Sequence, residues 1–278
     1  MNTPLPTDDS VSPFVDAAGL TLHVRRTKAA GGTAAADAPT LVLLHSLGTD
    51  LRIWDAVVAR LPTYAHLRID LRGHGLSDVP PGDYSIASMT HDVLAVLDHV
   101  GLERAVFVGV SIGGQIALRA ALERPGLALG LVLLDSAGRI GDRAAWEERM
   151  AAVRQGGLAA IADAVVGRWF AASIRERDPI APSGYRNLLL RTPAEGYVST
   201  CAALRDEDLT DRLSAIATPA LVICGSEDSA TPPALVRGLA RALPRARFVE
   251  IGDAGHLPCI DRPDVTARHI DVFVRGLA

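Results

Sequence analysis

Apolar positions along the chain fall into two alternating rhythms. Unbroken runs at residues 41–44, 104–108, 131–135 and 220–224 are the pattern of strands covered on both faces. Between such runs the spacing changes. From Ser85, apolar residues recur at Ile86, Met89, Val93, Leu97 and Val100 and stop at Gly101, the period of an amphipathic helix with a glycine stop. Residues 66–70 and 247–251 add two shorter strands, and residues 14–15 and 20–25 an opening hairpin around Ala18-Gly19. Further helices are predicted over 115–122, 233–243 and 263–276, and a loose Ala/Gly-rich connection over 28–39. Strands alternating with helices predict an α/β fold, with a mostly parallel central sheet and helices on both faces.

Residues 136–215 break that alternation. They show helical patterns, carry Trp146, Trp169 and Phe170, and contain no run that reads as a buried strand. The expected organisation is a core of residues 1–135 and 216–278 with a helical cap, 136–215, inserted before the last two strands. A cap placed after a strand's C-terminal end covers the mouth where α/β sheets bind ligands.

The composition narrows the function classes. With 278 residues, 49% of them hydrophobic and 22% charged, the chain can bury a sizeable core. A net charge of -4 gives no basic footprint for nucleic acid and no polybasic membrane patch. The opening stretch is polar and carries Asp8 and Asp9, so it does not resemble a signal peptide, and no apolar run is long enough to span a bilayer. Three cysteines, Cys201, Cys224 and Cys259, are too few and too widely spaced for a disulfide framework. The histidines show no metal-ligand spacing, and no glycine cluster is followed by the Lys-Ser/Thr of a phosphate loop. The expectation is a soluble cytoplasmic protein acting on a small molecule, without metal, cofactor, nucleic acid or membrane; the oligomeric state is left open.

Chemistry concentrates at Gly109-Val110-Ser111-Ile112-Gly113, between a strand pattern and a helix pattern. Gly-x-Ser-x-Gly in that setting is a nucleophile elbow, a tight turn that presents a serine hydroxyl above a sheet. A plain glycine-rich turn is the bland alternative. Two further positions argue against it, because a nucleophilic serine needs a base and a group that orients the base, in the chain order Ser, acid, His. After the strand ending at Cys224 comes Gly225-Ser226-Glu227-Asp228, and after the strand ending at Ile251 comes Gly252-Asp253-Ala254-Gly255-His256. Ser111, Asp228 and His256 therefore fall on one rim as the candidate triad. Glu227 is a rival acid and Asp135 a weaker one. Acyl transfer also needs donors for an oxyanion. The N–H of Ile112 is one candidate, and the N–H of Leu47, in the loop His45-Ser46-Leu47-Gly48, the other.

Nearly the whole chain resembles the α/β-hydrolases. The loop Asp70-Leu71-Arg72-Gly73-His74-Gly75-Leu76-Ser77 is widespread among them. Within that superfamily the chain is most similar to 3-oxoadipate enol-lactonases. The likeness is carried by His45-Ser46-Leu47-Gly48-Thr49-Asp50 with Trp54-Asp55, by Val110-Ser111-Ile112-Gly113-Gly114, and by cap segments. Those cap segments are Arg168-Trp169-Phe170, Gly196-Tyr197 and Cys201-Ala202-Ala203-Leu204-Arg205-Asp206. Ile112 where methionine is expected and Cys259 near the histidine are departures. The resemblance implies opening of a carboxylate-bearing enol-lactone to 3-oxoadipate in aromatic catabolism. A carboxylate calls for a cationic partner; Arg139, Arg149, Arg168 and Arg191 are the cap candidates, with Trp146 and Trp169 as apolar walls. Rival readings are a carboxylesterase, a perhydrolase, a carbon–carbon bond hydrolase, or a ligand receptor built on a hydrolase scaffold. Leu257, where carbon–carbon hydrolases usually carry an aromatic residue, weighs against that rival.

Overall fold

A computed structural model of the chain describes residues 12–30 and 38–277. The opening stretch 1–11 and residues 31–37 of the expected loose connection lie outside the described residues. The strands are β1 (Phe14–Ala17), β2 (Leu20–Thr27), β3 (Thr40–Leu44), β4 (His66–Ile69), β5 (Ala105–Val110), β6 (Ala128–Leu134), β7 (Ala220–Gly225) and β8 (Ala246–Ile251). They form one sheet in the order β1-β2-β4-β3-β5-β6-β7-β8. The pairings of β1 with β2 and of β2 with β4 are antiparallel; the others are parallel. Every residue of β5 and β7 is buried, which is why those strands read as unbroken apolar runs.

The order of the strands positions the site. After β3 the chain steps to one side to make β4, then returns to the other side to make β5. Winding reverses between β3 and β5, and the crevice beyond the carboxyl ends at such a reversal is where open α/β sheets bind ligands. The registers keep those ends level: Leu44 pairs with Gly109, Val110 with Leu134, Leu134 with Ile223 and Gly225 with Ile251. The loops after β3, β5, β6, β7 and β8 therefore open on one rim.

Helices flank the sheet. In the core these are α1 (Asp55–Val58), α2 (Ile86–His99) and α3 (Ile112–Glu123). Between β6 and β7 the described chain is helical, with α4 (Arg143–Gly156), α5 (Ala162–Trp169), α6 (Ala172–Arg177), α7 (Ile180–Arg191) and α8 (Ala194–Asp206). The core then closes with α9 (Pro233–Ala242), α10 (Pro258–Asp261) and α11 (Pro263–Arg275). Helix α2 starts where expected because Ser85 and Ser88 form a reciprocal capping box. At the elbow two boundaries differ from expectation. Parallel pairing with Leu133 and Leu134 carries β5 on to Val110, and the N–H groups of Gly114 and Gln115 bond to the Ser111 carbonyl and start α3 at Ile112. Strand thus passes into helix with Ser111 alone between them.

His66, at the start of β4, is 2% exposed, and neither ring nitrogen has a hydrogen-bond partner. Burial, reinforced by the nearby Arg68 charge, pushes its imidazole down from 6.5 to about 4. Between those values the unfolded chain binds a proton that the folded chain refuses, so stability falls as pH falls through the window, by about 3 kcal/mol for this group. The melting temperature of His66→Leu should vary less between pH 6.5 and 4 than that of the wild type. Parallel melting curves would mean that His66 protonates freely within the fold.

Candidate active site

Ser111 caps α3 with φ +58° and ψ -118°, a strained conformation for a residue with a side chain. Its surroundings explain the glycines two residues to either side. A Cβ on Gly109 would stand 2.3 Å from the Gly113 carbonyl carbon, and one on Gly113 would stand 2.4 Å from the Leu44 carbonyl oxygen. Strand β5, helix α3 and the end of β3 cross in van der Waals contact, and the crossing turns Ser111 toward a cavity of about 180 Å³. His256 lines the same cavity.

His256 follows β8 and is 4% exposed. Its Nδ1 lies 2.9 Å from Asp228 Oδ2. That carboxylate has three more donors: the N–H groups of Ala230 and Thr231, at 2.7 Å and 3.2 Å from Oδ1, and the Thr231 hydroxyl on Oδ2. Burial alone would raise Asp228, but the His256 imidazole and these donors hold it below the ordinary carboxylate value. Glu227 points elsewhere, accepting the Ala172 N–H at 2.9 Å. Asp135, at the end of β6, is fully buried, and its Oδ1 accepts the Gly225 N–H at 2.8 Å. Its other oxygen has no partner, and burial together with the Asp228 charge pushes it well above the carboxylate range. Sequence reasoning did not single out Thr231, whose Oγ1 also lies 3.3 Å from His256 Nδ1; its place three residues after Asp228 was the available signal.

The loop after β3 is held by two histidines that the sequence left without a role. His45 Nε2 accepts the Leu71 N–H at 2.9 Å, and His74 Nε2 accepts the Gly48 N–H at 3.0 Å. Burial lowers both imidazoles, His74 to about 3, so each stays neutral and keeps an acceptor nitrogen. Gly48 gives its N–H to His74 and Thr49 its own to the Ser46 carbonyl, while Leu47 lines the cavity wall with its N–H in neither bond. Ile112 opens α3, where the first N–H groups of a helix have no partner within it.

The helical segment closes the cavity with Ile140, Trp146, Arg149, Arg168, Trp169 and Tyr197. Trp146 is fixed by donating Nε1–H to the Ile140 carbonyl at 2.7 Å, and the Arg149 guanidinium lies over its ring, 4.7 Å from the centroid. The Tyr197 hydroxyl is buried beside Arg149. Among the described residues neither Arg149 nor Arg168 is paired with a carboxylate. The other two arginines are not brought in. Arg139 pairs with Asp208 at 3.4 Å on the surface, and Arg191 lines a separate groove beside β2. Cys201 is buried, and desolvation pushes its thiol up to about 12. Among the described residues no group of His, Cys, Asp and Glu could hold a metal ion, and no helix is long and apolar enough to cross a membrane.

Comparison with known proteins identifies the family. Residues 41–269 match the model of the alpha/beta hydrolase family. An enol-lactonase structure from Burkholderia xenovorans superposes with a TM-score of 0.90 at 39% identity, covering 95% of this chain and 100% of that one. 3-Oxoadipate enol-lactonase 2 of Acinetobacter baylyi is 32% identical over 86% of this chain and 90% of its own length. A Pseudomonas syringae protein provisionally named a carbamate hydrolase, RutD, is 33% identical over 86% of this chain and 95% of its own. By its sheet order, its elbow and this match over most of its length, the chain belongs to the alpha/beta hydrolase family.

Proposed function

We propose that the protein is a serine hydrolase that opens a small carboxylate-bearing enol-lactone, 3-oxoadipate enol-lactone, to 3-oxoadipate. The observation that carries this reading is the pairing of Arg149 and Arg168 with Ser111 around one cavity of about 180 Å³. That volume is well below the ~300–1,000 Å³ of pockets for drug-sized ligands. Two guanidiniums without carboxylate partners and a buried Tyr197 hydroxyl offer charge-assisted donors to an anionic group. Trp146 and Trp169 supply apolar walls. The similarity to proteins named enol-lactonases supports the same substrate. With that substrate, the protein would serve cytoplasmic breakdown of aromatic compounds.

The chemistry follows from the groups present. His256 takes the Ser111 proton as Oγ attacks the lactone carbonyl, and Asp228 holds the imidazole tautomer and stabilises the imidazolium. The tetrahedral oxyanion meets the N–H groups of Leu47 and Ile112, supplied by the β3 loop and the first turn of α3. Collapse breaks the ring C–O bond; the enolate leaves, gains a proton from His256 and ketonises. Water, deprotonated by His256, then cleaves the acyl-serine and releases a second carboxylate. The helical segment acts as the cap that holds the substrate's own carboxylate over Ser111.

Loss of the enol-lactone's ultraviolet absorbance tests the reading, with a simple aryl ester and a small carbamate run in parallel. Lactone turnover well above the other two is expected. Faster ester or carbamate cleavage would keep the triad and refute the substrate. Ser111→Ala should leave at most a few per cent of the activity with an unchanged melting temperature, and Asp228→Asn should lower kcat by about 10³–10⁴. If Glu227→Gln carries that loss instead, the acid is misassigned.

Arg149→Gln should raise KM for the lactone about ten- to a hundredfold, the worth of a hydrogen bond to a charged group, and spare the uncharged ester. Equal losses on both substrates would deny it a part in carboxylate recognition. His74→Leu strands the Gly48 N–H. It should cost about 1–3 kcal/mol in denaturant unfolding and lower kcat more than it raises KM.

A further inference from the structure

The loops that carry Asp228 and His256 also grip the cap, at the turn between α5 and α6. Asp261, at the end of α10, is 1% exposed. Its Oδ2 sits between two backbone donors, the Ala171 N–H at 2.9 Å and the Gly255 N–H at 2.8 Å. Gly255 immediately precedes His256. Ala171 lies two residues past Trp169, whose side chain lines the cavity. On the far side of His256, Leu257 donates its N–H to the Trp169 carbonyl at 3.1 Å. The acid loop holds the next residue, through Glu227 Oε2 and the Ala172 N–H.

The backbones in this clasp touch. A Cβ on Gly255 would stand 2.8 Å from the Trp169 carbonyl oxygen and 2.9 Å from the Ala171 nitrogen. On its other side Gly255 abuts β7, since a Cβ on Gly225 would stand 2.1 Å from the Gly255 carbonyl oxygen. A small movement of residues 169–171 is therefore transmitted to the residue before His256. The Asp261 carboxylate is the side chain bonded to both sides of this contact, and charge-assisted bonds of that kind are about twice as strong as neutral ones. Arg177 of α6 adds a bond to the Asp261 backbone carbonyl at 3.2 Å. The second carboxylate oxygen is buried without a partner, so the side chain is spent on these two donors alone.

We infer that Asp261 is a positioning residue that sets the cap wall at Trp169 against the base at His256, so that substrate seating and proton transfer share one alignment. This rests on the hydrolase mechanism proposed above and is independent of the lactone as substrate. Asp261 stays out of contact with substrate and acts through the two loops it joins.

Kinetics of Asp261→Ala, Asp261→Asn and Ala171→Pro test it, each with a melting temperature. Misplacement by about 1 Å can cost about a hundredfold in rate. Asp261→Ala should therefore lower kcat about tenfold or more and raise KM several-fold, on any substrate the wild type turns over. Asparagine keeps an oxygen able to accept both N–H groups and should restore most of both parameters. Ala171 has φ -61° and follows Phe170 at φ -118°, ψ 136°, so proline suits the backbone dihedrals; it removes the cap-side donor and sets its Cδ against Asp261 Oδ2, which breaks the clasp at that bond. That variant should raise KM several-fold and lower kcat several-fold with it.

An Asp261→Ala enzyme with a lower melting temperature but unchanged kcat and KM would overturn the inference, as would an asparagine variant no better than alanine. Should the alanine variant not fold, an unchanged KM in Ala171→Pro overturns it. A wild type inert toward lactone, ester and carbamate would refute the substrate reading separately. The clasp is then read from the rate at which a fluorophosphonate labels Ser111, expected to slow in Asp261→Ala; equal rates would overturn it.

Discussion

The site depends on a backbone crossing. Strand β5, the first turn of α3 and the end of β3 approach so closely that Gly109 and Gly113 admit no side chain. Ser111 is held between them at positive φ, a conformation that costs about 1–3 kcal/mol and persists only where its surroundings over-determine it. They do so here: β5 is buried along its length, and the Ser111 carbonyl accepts the N–H groups that start α3. The same crossing brings the β3 loop beside the elbow. The candidate nucleophile and both candidate oxyanion donors are thus set by one contact, which also lies at the reversal of the sheet's winding.

Around this crossing, hydrogen-bond supply sorts the buried polar groups by charge. His45 and His74 each accept a backbone N–H through Nε2, and protonation would turn that acceptor into a donor facing another donor. Desolvation pushes the same way, so neutrality is enforced twice. The two aspartates at the ends of neighbouring strands divide by the same rule. Asp228 has two backbone donors, a hydroxyl and an imidazole, and its charge is favoured. Asp135 has one backbone donor and a charged neighbour, and its charge is suppressed. Burial beside the Asp228 charge thus disfavours a second charge on Asp135.

What could be read from the residues was whatever local pattern determines. Runs such as 131–134 and the helical stripe from Ile86 are set by burial on a repeating period, and the elbow by glycine sterics, so strands, α2 and Ser111 were legible. The order of Asp228 over Glu227 was only a ranking. In the structure the turn after Gly225 sends Glu227 to the Ala172 N–H and Asp228 to His256. Arg139 and Arg149 had equal standing as cap arginines, yet Arg139 sits outside α4 against Asp208 while Arg149 lies over Trp146 at the cavity. Side-chain direction on a cap of short helices is set by packing that no period encodes. Asp261 was invisible for another reason: its partner Ala171 is 90 residues away, and both bonds are to backbone.

The cap is consequently two different surfaces with respect to the catalytic loops. Its α5–α6 turn is bonded to both the acid loop and the base loop, so Arg168 and Trp169 sit on backbone whose displacement moves the residues around His256. Helix α4 has no such tie in its fixation of Trp146, which bonds within its own segment to Ile140, with Arg149 resting on its ring. A change of side chain on α4 can therefore reshape the cavity without touching the alignment of the triad. A change at the turn acts on seating and proton transfer together. On the proposed reading, substrate range would vary from the α4 side, and the α5 side would be constrained by the chemistry beneath it.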